Sequence, residues 1–302
     1  MDKPTSSKPG QGLIIVRLLG GLGNQMFQYA FGRYLSIKHN TILKLDITDL
    51  LDRTPKKDFV YRDYDLDIFN IVEEFATADE VLKLKGKIPG RGVKLLHKMI
   101  GSKNGYVVEA VPNFSYKYYN SPDNVYLAGY WQAEKYFGDI ADIIRKDFVV
   151  KEELSELSKG LLKQIQQSNS VCVNVRRGDF VTNPAHNVCD LRYYNEAKSI
   201  VSSKVNDPHF YVFSDDIEWC SKNLDFYSPA TYVSHEYAGK KFQDYLRLMA
   251  QCKHFVIPNS SFAWWAIYLS GSRDNVVVAP KKWIADEKYN DKDVYRDNWI
   301  KI

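Results

Sequence analysis

Short apolar runs alternate along this chain with longer stretches whose apolar residues recur every three or four positions, the spacing typical of helices. Near the start, residues 13–19 predict one strand and residues 41–46 a second. Between them, the glycine-rich residues 20–23 predict a turn, and a helix follows that is marked by Phe27, Ala30, Phe31, Tyr34 and Leu35. Strand, helix and strand in this order predict a βαβ unit.

The second half of the chain repeats this alternation more clearly. Helical spacing marks residues 154–165, 193–205, 240–252 and 262–269, and apolar runs predict strands at 171–175, 209–213, 231–234, 254–257 and 275–279. Such alternation predicts an α/β fold with a parallel, doubly wound sheet. The irregular region from residue 50 to 124, and a strand predicted at 125–128, complete a first domain. We therefore expect two Rossmann-like domains, residues 1–150 and 151–302, facing each other across a cleft, with the C-terminal tail packed back on the first.

Composition narrows the class of protein. The 302 residues are 45% apolar and 26% charged, and the net charge of +4 is spread along the chain, so nucleic acid is not the expected partner. Four cysteines without a C-x-x-C pair predict free thiols in a reducing compartment. The polar first twelve residues predict neither a secretory signal nor a membrane anchor, which indicates a cytoplasmic location.

One segment is strongly basic. Residues 81–106 contain seven Lys or Arg and no Asp or Glu. A solvated basic surface explains this composition. The alternative is peripheral contact with anionic lipid at the cytoplasmic face of the inner membrane.

Two adjacent arginines supply the most informative chemistry. Arg176 and Arg177 follow the apolar run that ends at Val175, and ligands of open α/β sheets bind beyond the carboxyl ends of the strands. A guanidinium offers a planar fork of donors that suits a diphosphate. The alternative is an arginine pair that bridges surface carboxylates.

Other strands of the same predicted sheet also end in polar residues. One strand is followed by Ser214, Asp215 and Asp216, a second by His235 and Glu236, and a third by Asn259, Ser260 and Ser261. In a parallel sheet these residues share one edge, which predicts a composite site for an anion and a ribose. The two serines also stand where a helix N-cap belongs, and helix N–H groups there bind phosphate oxygens.

The glycine-rich turn near the start is a weaker signal. Gly21 and Gly23 would let backbone amides approach a phosphate or a sugar, and Asn24 and Gln25 add two side-chain amides. However, Met26 occupies the place of the third glycine of a dinucleotide-binding loop. A tight turn without a ligand is the simpler explanation.

Carboxylate pairs raise the question of a metal. Asp215 with Asp216, and Asp65 with Asp67, carry the oxygen ligands that divalent cations take. The two arginines can neutralise a diphosphate themselves, and an Asp after a strand often caps the next helix, so we expect no metal and no cofactor. Asp244 has a carboxylate that would accept the N1 and N2 protons of guanine, and an exposed helix acid is the equal alternative.

Several motifs together resemble those of the bacterial α-1,2-fucosyltransferases, and the resemblance runs nearly end to end. The motifs are Gly20-Gly21-Leu22-Gly23-Asn24-Gln25-Met26-Phe27-Gln28-Tyr29-Ala30, Gly129-Tyr130-Trp131-Gln132-Ala133-Glu134-Lys135-Tyr136-Phe137, Val175-Arg176-Arg177-Gly178-Asp179, Phe213-Ser214-Asp215-Asp216, Asn259-Ser260-Ser261-Phe262-Ala263-Trp264-Trp265 and Asn298-Trp299-Ile300-Lys301-Ile302. Through the arginine motif the chain is also similar to α-1,6-fucosyltransferases and protein O-fucosyltransferases, which use GDP-fucose without metal in a two-domain GT-B architecture.

The resemblance implies an inverting transfer of L-fucose from GDP-β-L-fucose to the 2-hydroxyl of a terminal galactose. The acceptor would be an oligosaccharide or a lipid-linked glycan, as in O-antigen biosynthesis. It is expected on the first domain, where Trp131 and Glu134 are candidate contacts. The sequence does not distinguish lactose, N-acetyllactosamine, a type 1 chain or a lipid-linked repeat unit, and it leaves the oligomeric state open.

The resemblance also assigns donor-binding roles. Arg176 matches the arginine on the β-phosphate, and Arg177 and Asp179 complete its motif. Asp244 matches a guanine-binding acid, and Asn24 an asparagine near the fucose. The loop on the nucleotide phosphates is matched by Ser260, Ser261 and Phe262.

The chain departs from the family pattern at Asn174, where the arginine motif usually begins with His. An amide still hydrogen-bonds a ligand, but it carries no proton at neutral pH. We therefore assign no general base. A dissociative transition state needs deprotonation of the acceptor only late, and a departing phosphate oxygen would suffice.

Two other classes of protein remain in view. A dehydrogenase with a degenerate glycine loop would use Asp46, about twenty residues after the glycines, to bind a ribose. A non-catalytic carbohydrate-binding protein would use Trp131 and the many tyrosines as sugar platforms.

Overall fold

The computed structural model describes residues 12–55, 60–86, 105–110, 113–271, 274–286 and 290–302, without the side chains of Asp179 and Thr182. The chain divides into two compact units, Met1–Phe148 and Val149–Ile302. The first eleven residues and most of the basic segment, residues 87–104, lie outside the described residues. Lipid contact by that segment stays a prediction.

The first unit is built on a four-stranded parallel sheet. Its strands are β1 Leu13–Arg17, β2 Ile42–Asp46, β3 Tyr106–Val108 and β4 Val125–Ala128, in the spatial order β2-β1-β4-β3. Its helices are α1 Leu22–Lys38, α2 Thr48–Leu51, α3 Ala78–Lys85, α4 Tyr116–Tyr119 and α5 Ala141–Asp147, with short 3₁₀ helices at Leu66–Ile68, Glu134–Tyr136 and Gly138–Ile140.

The second unit contains a six-stranded parallel sheet. Its strands are β5 Asn169–Val175, β6 Pro208–Ser214, β7 Ala230–Tyr232, β8 His254–Val256, β9 Val277–Ala279 and β10 Ile300–Lys301, in the order β10-β9-β8-β5-β6-β7. Its helices are α6 Glu156–Gln167, α7 Gly178–Thr182, α8 Leu191–Lys204, α9 Ile217–Asn223, α10 Gln243–Ala250 and α11 Ser261–Ser270, with a 3₁₀ helix at His235–Tyr237.

The central strands have apolar middles because helices cover parallel sheets on both faces. Ile14, Ile15 and Val16 of β1 have no exposed surface, and neither have Val171, Cys172 and Val173 of β5. These uninterrupted apolar runs are the reason that both strands could be predicted from the sequence. The predicted α/β fold with parallel, doubly wound sheets is confirmed.

The second sheet has a topological switch point, where the chain passes from β5 to β6 on one side and from β8 to β9 on the other. Ligands of open α/β sheets bind in the crevice at such points, beyond the carboxyl ends of the strands. In the first sheet, β1 lies between β2 and β4, and the segment after β4 packs against α1, the helix that follows β1. The first place to look for function is therefore the β5/β8 edge.

Candidate active site

The β5/β8 switch point brings together the two strongest candidates from the sequence. Arg176 directly follows β5, and residues 259–262 follow β8 after two intervening residues; β8 pairs with β5 through Val171, Cys172 and Val173. The carboxyl ends of two neighbouring parallel strands lie at one edge of the sheet. Arg176 and the amino terminus of α11 therefore emerge at the same edge of the sheet.

Arg176 is held by an aspartate from the neighbouring strand β6. Its Nη1 lies 2.8 Å from Oδ2 of Asp215, and the two side chains are 27% and 19% exposed. Its guanidinium carbon also lies 5.5 Å from the centroid of the Phe180 ring. The guanidinium is thus fixed in place, yet not withdrawn from solvent.

Arg177 is held differently and more firmly. Its backbone N–H donates to Oδ1 of Asp215 at 2.8 Å, and its Nε donates to Oδ2 of Asp216 at 3.0 Å. Its guanidinium carbon lies only 3.7 Å from the centroid of the Trp219 ring. Asp216 in turn caps α9 by accepting the N–H of Trp219 at 3.1 Å. The alternative considered from the sequence, in which the arginines pair with carboxylates, is therefore also observed. Arg177 makes more of these contacts in the described structure than Arg176 does.

Polar groups buried beside Arg176 and Arg177 form hydrogen bonds that stabilise the carboxyl ends of β5 and β6. Asn174 donates through Nδ2 to the carbonyl of Phe213 at 3.2 Å, and its own carbonyl accepts the Tyr194 hydroxyl at 3.3 Å. Ser214 Oγ accepts the N–H of Asp216 at 2.9 Å. In the described structure, the side chains of Asn174 and Ser214, both predicted to bind the donor, hold the edge in shape. Asp179, another predicted donor contact, has no described side chain.

The β8 edge presents the amino terminus of α11. Ser260 caps this helix by accepting the N–H of Ala263 at 3.4 Å, and Ser261 and Phe262 are partly exposed in its first turn. Asn259 donates from Nδ2 to the carbonyls of Trp283 at 2.8 Å and His186 at 3.2 Å. Its Oδ1 is buried with no hydrogen-bond partner, an acceptor that folding alone does not satisfy.

Asp244 lies in the first turn of α10 and is only 4% exposed. Its Oδ1 pairs with Nη2 of Arg247 one turn further on. Arg247 also donates from Nη1 to the carbonyl of Glu152 at 2.7 Å. Asp244 is therefore a buried, oriented carboxylate and not the exposed helix acid that was the alternative. We did not single out Arg247 from the sequence, although its spacing of three residues is the usual one for a helical ion pair.

The first unit places its glycine-rich turn at the β1/β4 edge. Gly20 has a φ of +78°, and a Cβ there would lie 2.6 Å from Nδ2 of Asn24, so only glycine fits. Asn24 accepts a hydrogen bond from Nε2 of Gln132 at 2.8 Å. Gly21 has open space around it and Gly23 is buried at the start of α1.

Gln25 differs from expectation because its amide is fully engaged within the fold. It is buried, donates from Nε2 to the carbonyls of Gly20 at 2.9 Å and Asp63 at 2.8 Å, and accepts the N–H of Asp65 at 3.0 Å through Oε1. In the described structure this side chain ties the turn to a neighbouring loop and offers no group to a ligand.

Trp131 also differs from expectation. The ring is completely buried, with centroids 4.8 Å from Phe31 and 5.2 Å from Tyr118, so it offers no face to a sugar. Glu134, the other expected acceptor contact, is partly exposed at the start of the 3₁₀ helix Glu134–Tyr136. Tyr130, the residue before Trp131, is 41% exposed.

Asp46, the residue on which the dehydrogenase alternative depended, is hydrogen-bonded within the fold. Asp46 is buried and accepts the Tyr126 hydroxyl at 2.6 Å, the Thr48 hydroxyl at 2.7 Å and the Thr48 N–H at 3.0 Å. Its carboxylate secures the β2 end and is not available to a ribose.

Two properties of the whole described chain bear on partners. Among the described residues, no group of three or more His, Cys, Asp or Glu is arranged to hold a metal ion. Within the same ranges, no helix has the length and apolar character needed to cross a membrane.

The two parallel α/β sheets and this site are those expected of a class, the glycosyltransferases that use nucleotide sugars. A structure of an Arabidopsis thaliana FUT1 mutant in complex with GDP superposes with a TM-score of 0.50 at 11% identity, over 94% of this chain and 74% of that one. An alpha-1,2-colitosyltransferase of Escherichia coli is 32% identical over 296 residues, which cover 96% of this chain and 99% of the relative. Galactoside alpha-(1,2)-fucosyltransferase 1 of Homo sapiens is 27% identical over 165 residues, 51% of this chain and 45% of the relative.

The family model of glycosyl transferase family 11 matches residues 101–302. The chain belongs to glycosyl transferase family 11, and it transfers a glycosyl group from a nucleotide sugar. The family recognised from the sequence is thereby confirmed.

Proposed function

We propose that this protein transfers L-fucose from GDP-β-L-fucose to the 2-hydroxyl of a terminal galactose, with inversion and without a metal. The observation that carries the proposal is that Arg176 and the amino terminus of α11 both follow strands of the β5/β8 switch point. A diphosphate is the ligand that both groups favour, because one supplies a guanidinium and the other a set of backbone N–H groups.

The chemical difficulty lies in the departure of GDP. As the bond to fucose breaks, the sugar gains oxocarbenium character and negative charge grows on the β-phosphate. Arg176 stabilises that charge, assisted by the helix amino terminus at Ser260 and Ser261. A preorganised donor of this kind contributes roughly 3 kcal/mol, or a hundredfold or more in rate.

Asp215 supports this role by fixing the guanidinium plane of Arg176 before the donor arrives. Electrostatic catalysis depends on such preorganisation, since a donor that must first reorient loses part of its advantage. Arg177 contributes by anchoring the turn that follows β5, through Asp215, Asp216 and Trp219.

The guanine base is assigned to Asp244. A buried carboxylate accepts the N1 and N2 protons of guanine, a pattern that neither adenine nor uracil offers. Arg247 holds Asp244 in one orientation and compensates its charge, which reduces the cost of burying it.

The acceptor binds on the first unit in this proposal, and no residue is assigned as a general base. Asn174 replaces the histidine of the family motif and has no proton to exchange. Deprotonation of the galactose hydroxyl occurs late in a dissociative transition state, and the proton passes to solvent water, because inversion places the hydroxyl on the face of the sugar opposite the departing GDP.

A second donor is favoured by one observation, the 32% identity to an alpha-1,2-colitosyltransferase. Colitose is fucose without the 3-hydroxyl group. The two donors therefore differ by one hydrogen-bonding group, and a site built to bind that hydroxyl would reject colitose strongly.

The deciding experiment offers GDP-fucose and GDP-colitose in turn to lactose, N-acetyllactosamine and a type 1 disaccharide, with and without EDTA. NMR of the product identifies the linkage and the anomeric configuration. We expect α-1,2-linked fucose on galactose at a rate that EDTA does not change. Exclusive use of GDP-colitose would show that colitose, not fucose, is the sugar transferred. Loss of transfer in EDTA would overturn the proposed metal independence. A product linked at another position would overturn the proposed galactose 2-hydroxyl acceptor.

Arg176→Lys tests the observation on which the proposal depends. We expect it to retain the fold and lose at least a hundredfold in turnover. Arg192→Lys, at an arginine whose side chain is 95% exposed in the same unit, is the matched control and should turn over normally. Normal turnover by Arg176→Lys would remove the phosphate assignment.

A further inference from the structure

The β1/β4 edge of the first sheet carries a surface turn that the proposed donor-binding site does not use. Residues 129–132 follow β4, and residues 18–24 follow β1, the strand paired with β4. The hydrogen bond from Gln132 to Asn24, at 2.8 Å, joins these two segments. Both segments lie beyond the carboxyl ends of neighbouring parallel strands, the side of an open sheet on which ligands bind.

Glu109 fixes this turn from the neighbouring strand. It directly follows β3, and its carboxylate accepts the N–H of Tyr130 at 2.6 Å and the N–H of Trp131 at 3.1 Å. A Cβ placed on Gly129 would lie 2.4 Å from the Cβ of Glu109. The carboxylate therefore lies directly against the turn, with no space for a side chain between them.

The backbone of the turn is strained. Trp131 has a φ of +55°, a conformation that costs a bulky residue about 1–3 kcal/mol and persists only where surrounding contacts enforce it. The Glu109 carboxylate and the burial of the Trp131 ring against Phe31 and Tyr118 enforce it here. With Trp131 buried, Tyr130 is the aromatic residue of the turn that keeps substantial exposure, at 41%.

We propose that Tyr130 is the ring that contacts the acceptor sugar, with Glu109 as the positioning residue that holds it at the β1/β4 edge. The inference rests on the proposed function, since it assumes a terminal galactoside as acceptor. A galactopyranoside presents one face of C–H groups, and an aromatic ring packs against such a face with little loss of conformational entropy. Tyr130 thus takes the contact that the sequence assigned to Trp131.

The first test measures the KM for the acceptor and for the donor in Tyr130→Ala and Tyr130→Phe. Removing the ring should raise the KM for the acceptor about tenfold, equivalent to about 1.4 kcal/mol. The KM for the donor and kcat should change less than about threefold. Tyr130→Phe keeps the ring and should restore the wild-type KM. Tyr116→Ala is the matched control, because Tyr116 is also exposed, at 71%, in the same unit.

The second test concerns Glu109. Glu109→Gln keeps the size of the side chain and one carbonyl oxygen but loses the negative charge that both N–H groups share. We expect the KM for the acceptor to rise several-fold at pH 8, with kcat and the KM for the donor nearly unchanged. A loss of kcat equal to the rise in KM, or a loss of folded protein alone, would overturn the positioning role.

A binding measurement separates this inference from the proposed function. Saturation-transfer NMR with methyl β-galactoside and GDP reports sugar binding without any reaction. Loss of the signal in Tyr130→Ala, with its retention in Tyr116→Ala, supports the inference whichever sugar is transferred. Unchanged binding by Tyr130→Ala, or no galactoside binding by the wild type, overturns the inference. A Tyr130 effect with GDP-colitose as the sole donor would overturn only the proposed donor.

Discussion

Arg177 lies over the Trp219 ring, with the guanidinium carbon 3.7 Å from the ring centroid, while its Nε donates to Asp216. The adjacent Arg176 pairs with Asp215, and its guanidinium carbon lies 5.5 Å from the Phe180 ring centroid. Two neighbouring arginines that look equivalent in the sequence therefore have different surroundings. Arg177 is built into the turn after β5, whereas Arg176 pairs with Asp215 and keeps 27% of its side chain exposed.

This difference predicts opposite effects of substitution. Arg177→Met should lower the free energy of unfolding by about 1–2 kcal/mol, because it removes a close cation–π contact and a partly buried ion pair. Its turnover at a temperature where it remains folded should fall less than about tenfold. Urea unfolding and initial rates measure the two quantities. Arg176→Lys should show the reverse, and an Arg177→Met enzyme that is stable but inactive would contradict the division of roles.

Asp244 predicts nucleotide selectivity. Asp244→Asn should weaken GDP binding by about 10- to 100-fold, since a hydrogen bond to a charged group contributes about 1.5–3 kcal/mol. UDP and ADP, which bind through the diphosphate alone, should bind the variant and the wild type equally weakly. Calorimetry with the three nucleotides checks this. Arg247→Lys, which keeps the positive charge, serves as the control and should lose less affinity. Equal losses for all three nucleotides would point to a structural role for Asp244.

Glu109 predicts a dependence of stability on pH. Burial raises the pKa of Glu109 from its ordinary value of 4.5 to about 7, against the opposing effect of the Tyr130 and Trp131 N–H groups. Because the folded protein binds the proton more tightly than the unfolded chain, this contribution to stability is complete below about pH 4.5 and is lost as the pH rises to about 7. Glutamine does not titrate. The unfolding free energy of Glu109→Gln minus that of the wild type should therefore increase as the pH rises from about 4.5 to about 7. Urea titrations at several pH values would show this. A flat difference would mean that Glu109 has an ordinary pKa.

The same proton should affect acceptor binding in the opposite direction. A protonated carboxyl group accepts the two turn N–H groups less well than a carboxylate. The KM of the wild type for the acceptor should therefore rise as the pH falls through about 7, whereas the KM of Glu109→Gln should be high at every pH. Initial rates at a saturating donor concentration, measured between about pH 5.5 and 8.5, give both profiles. Parallel profiles for the two proteins would exclude Glu109 as the titrating group.

The strands could be predicted from the sequence where their apolar runs were long enough. The strand at 125–128 was predicted with the bounds that the structure gives, and β5 was found because Val171, Cys172 and Val173 are continuous and apolar. In contrast, β3 has three residues and β10 has two, too few to show a period. Such strands exist because a neighbouring strand supplies their hydrogen bonds.

The candidate site was predictable where the chemistry lies next to a strand end, as for Arg176 and Ser260. It was less predictable where burial decides. Nothing in the sequence near Gln25 or Trp131 indicates that both side chains are buried and committed to the fold. Glu109 was missed because its partners are Tyr130 and Trp131, some twenty residues further on, and no local pattern links them.

Gly129 limits how this enzyme can be redesigned. A single methyl group at that position would collide with the Glu109 side chain at 2.4 Å, so even alanine would displace the support beneath the turn. Libraries intended to broaden the range of glycans that the protein decorates should leave this residue unchanged. Variation is better directed to Tyr130, where a larger or smaller side chain meets solvent.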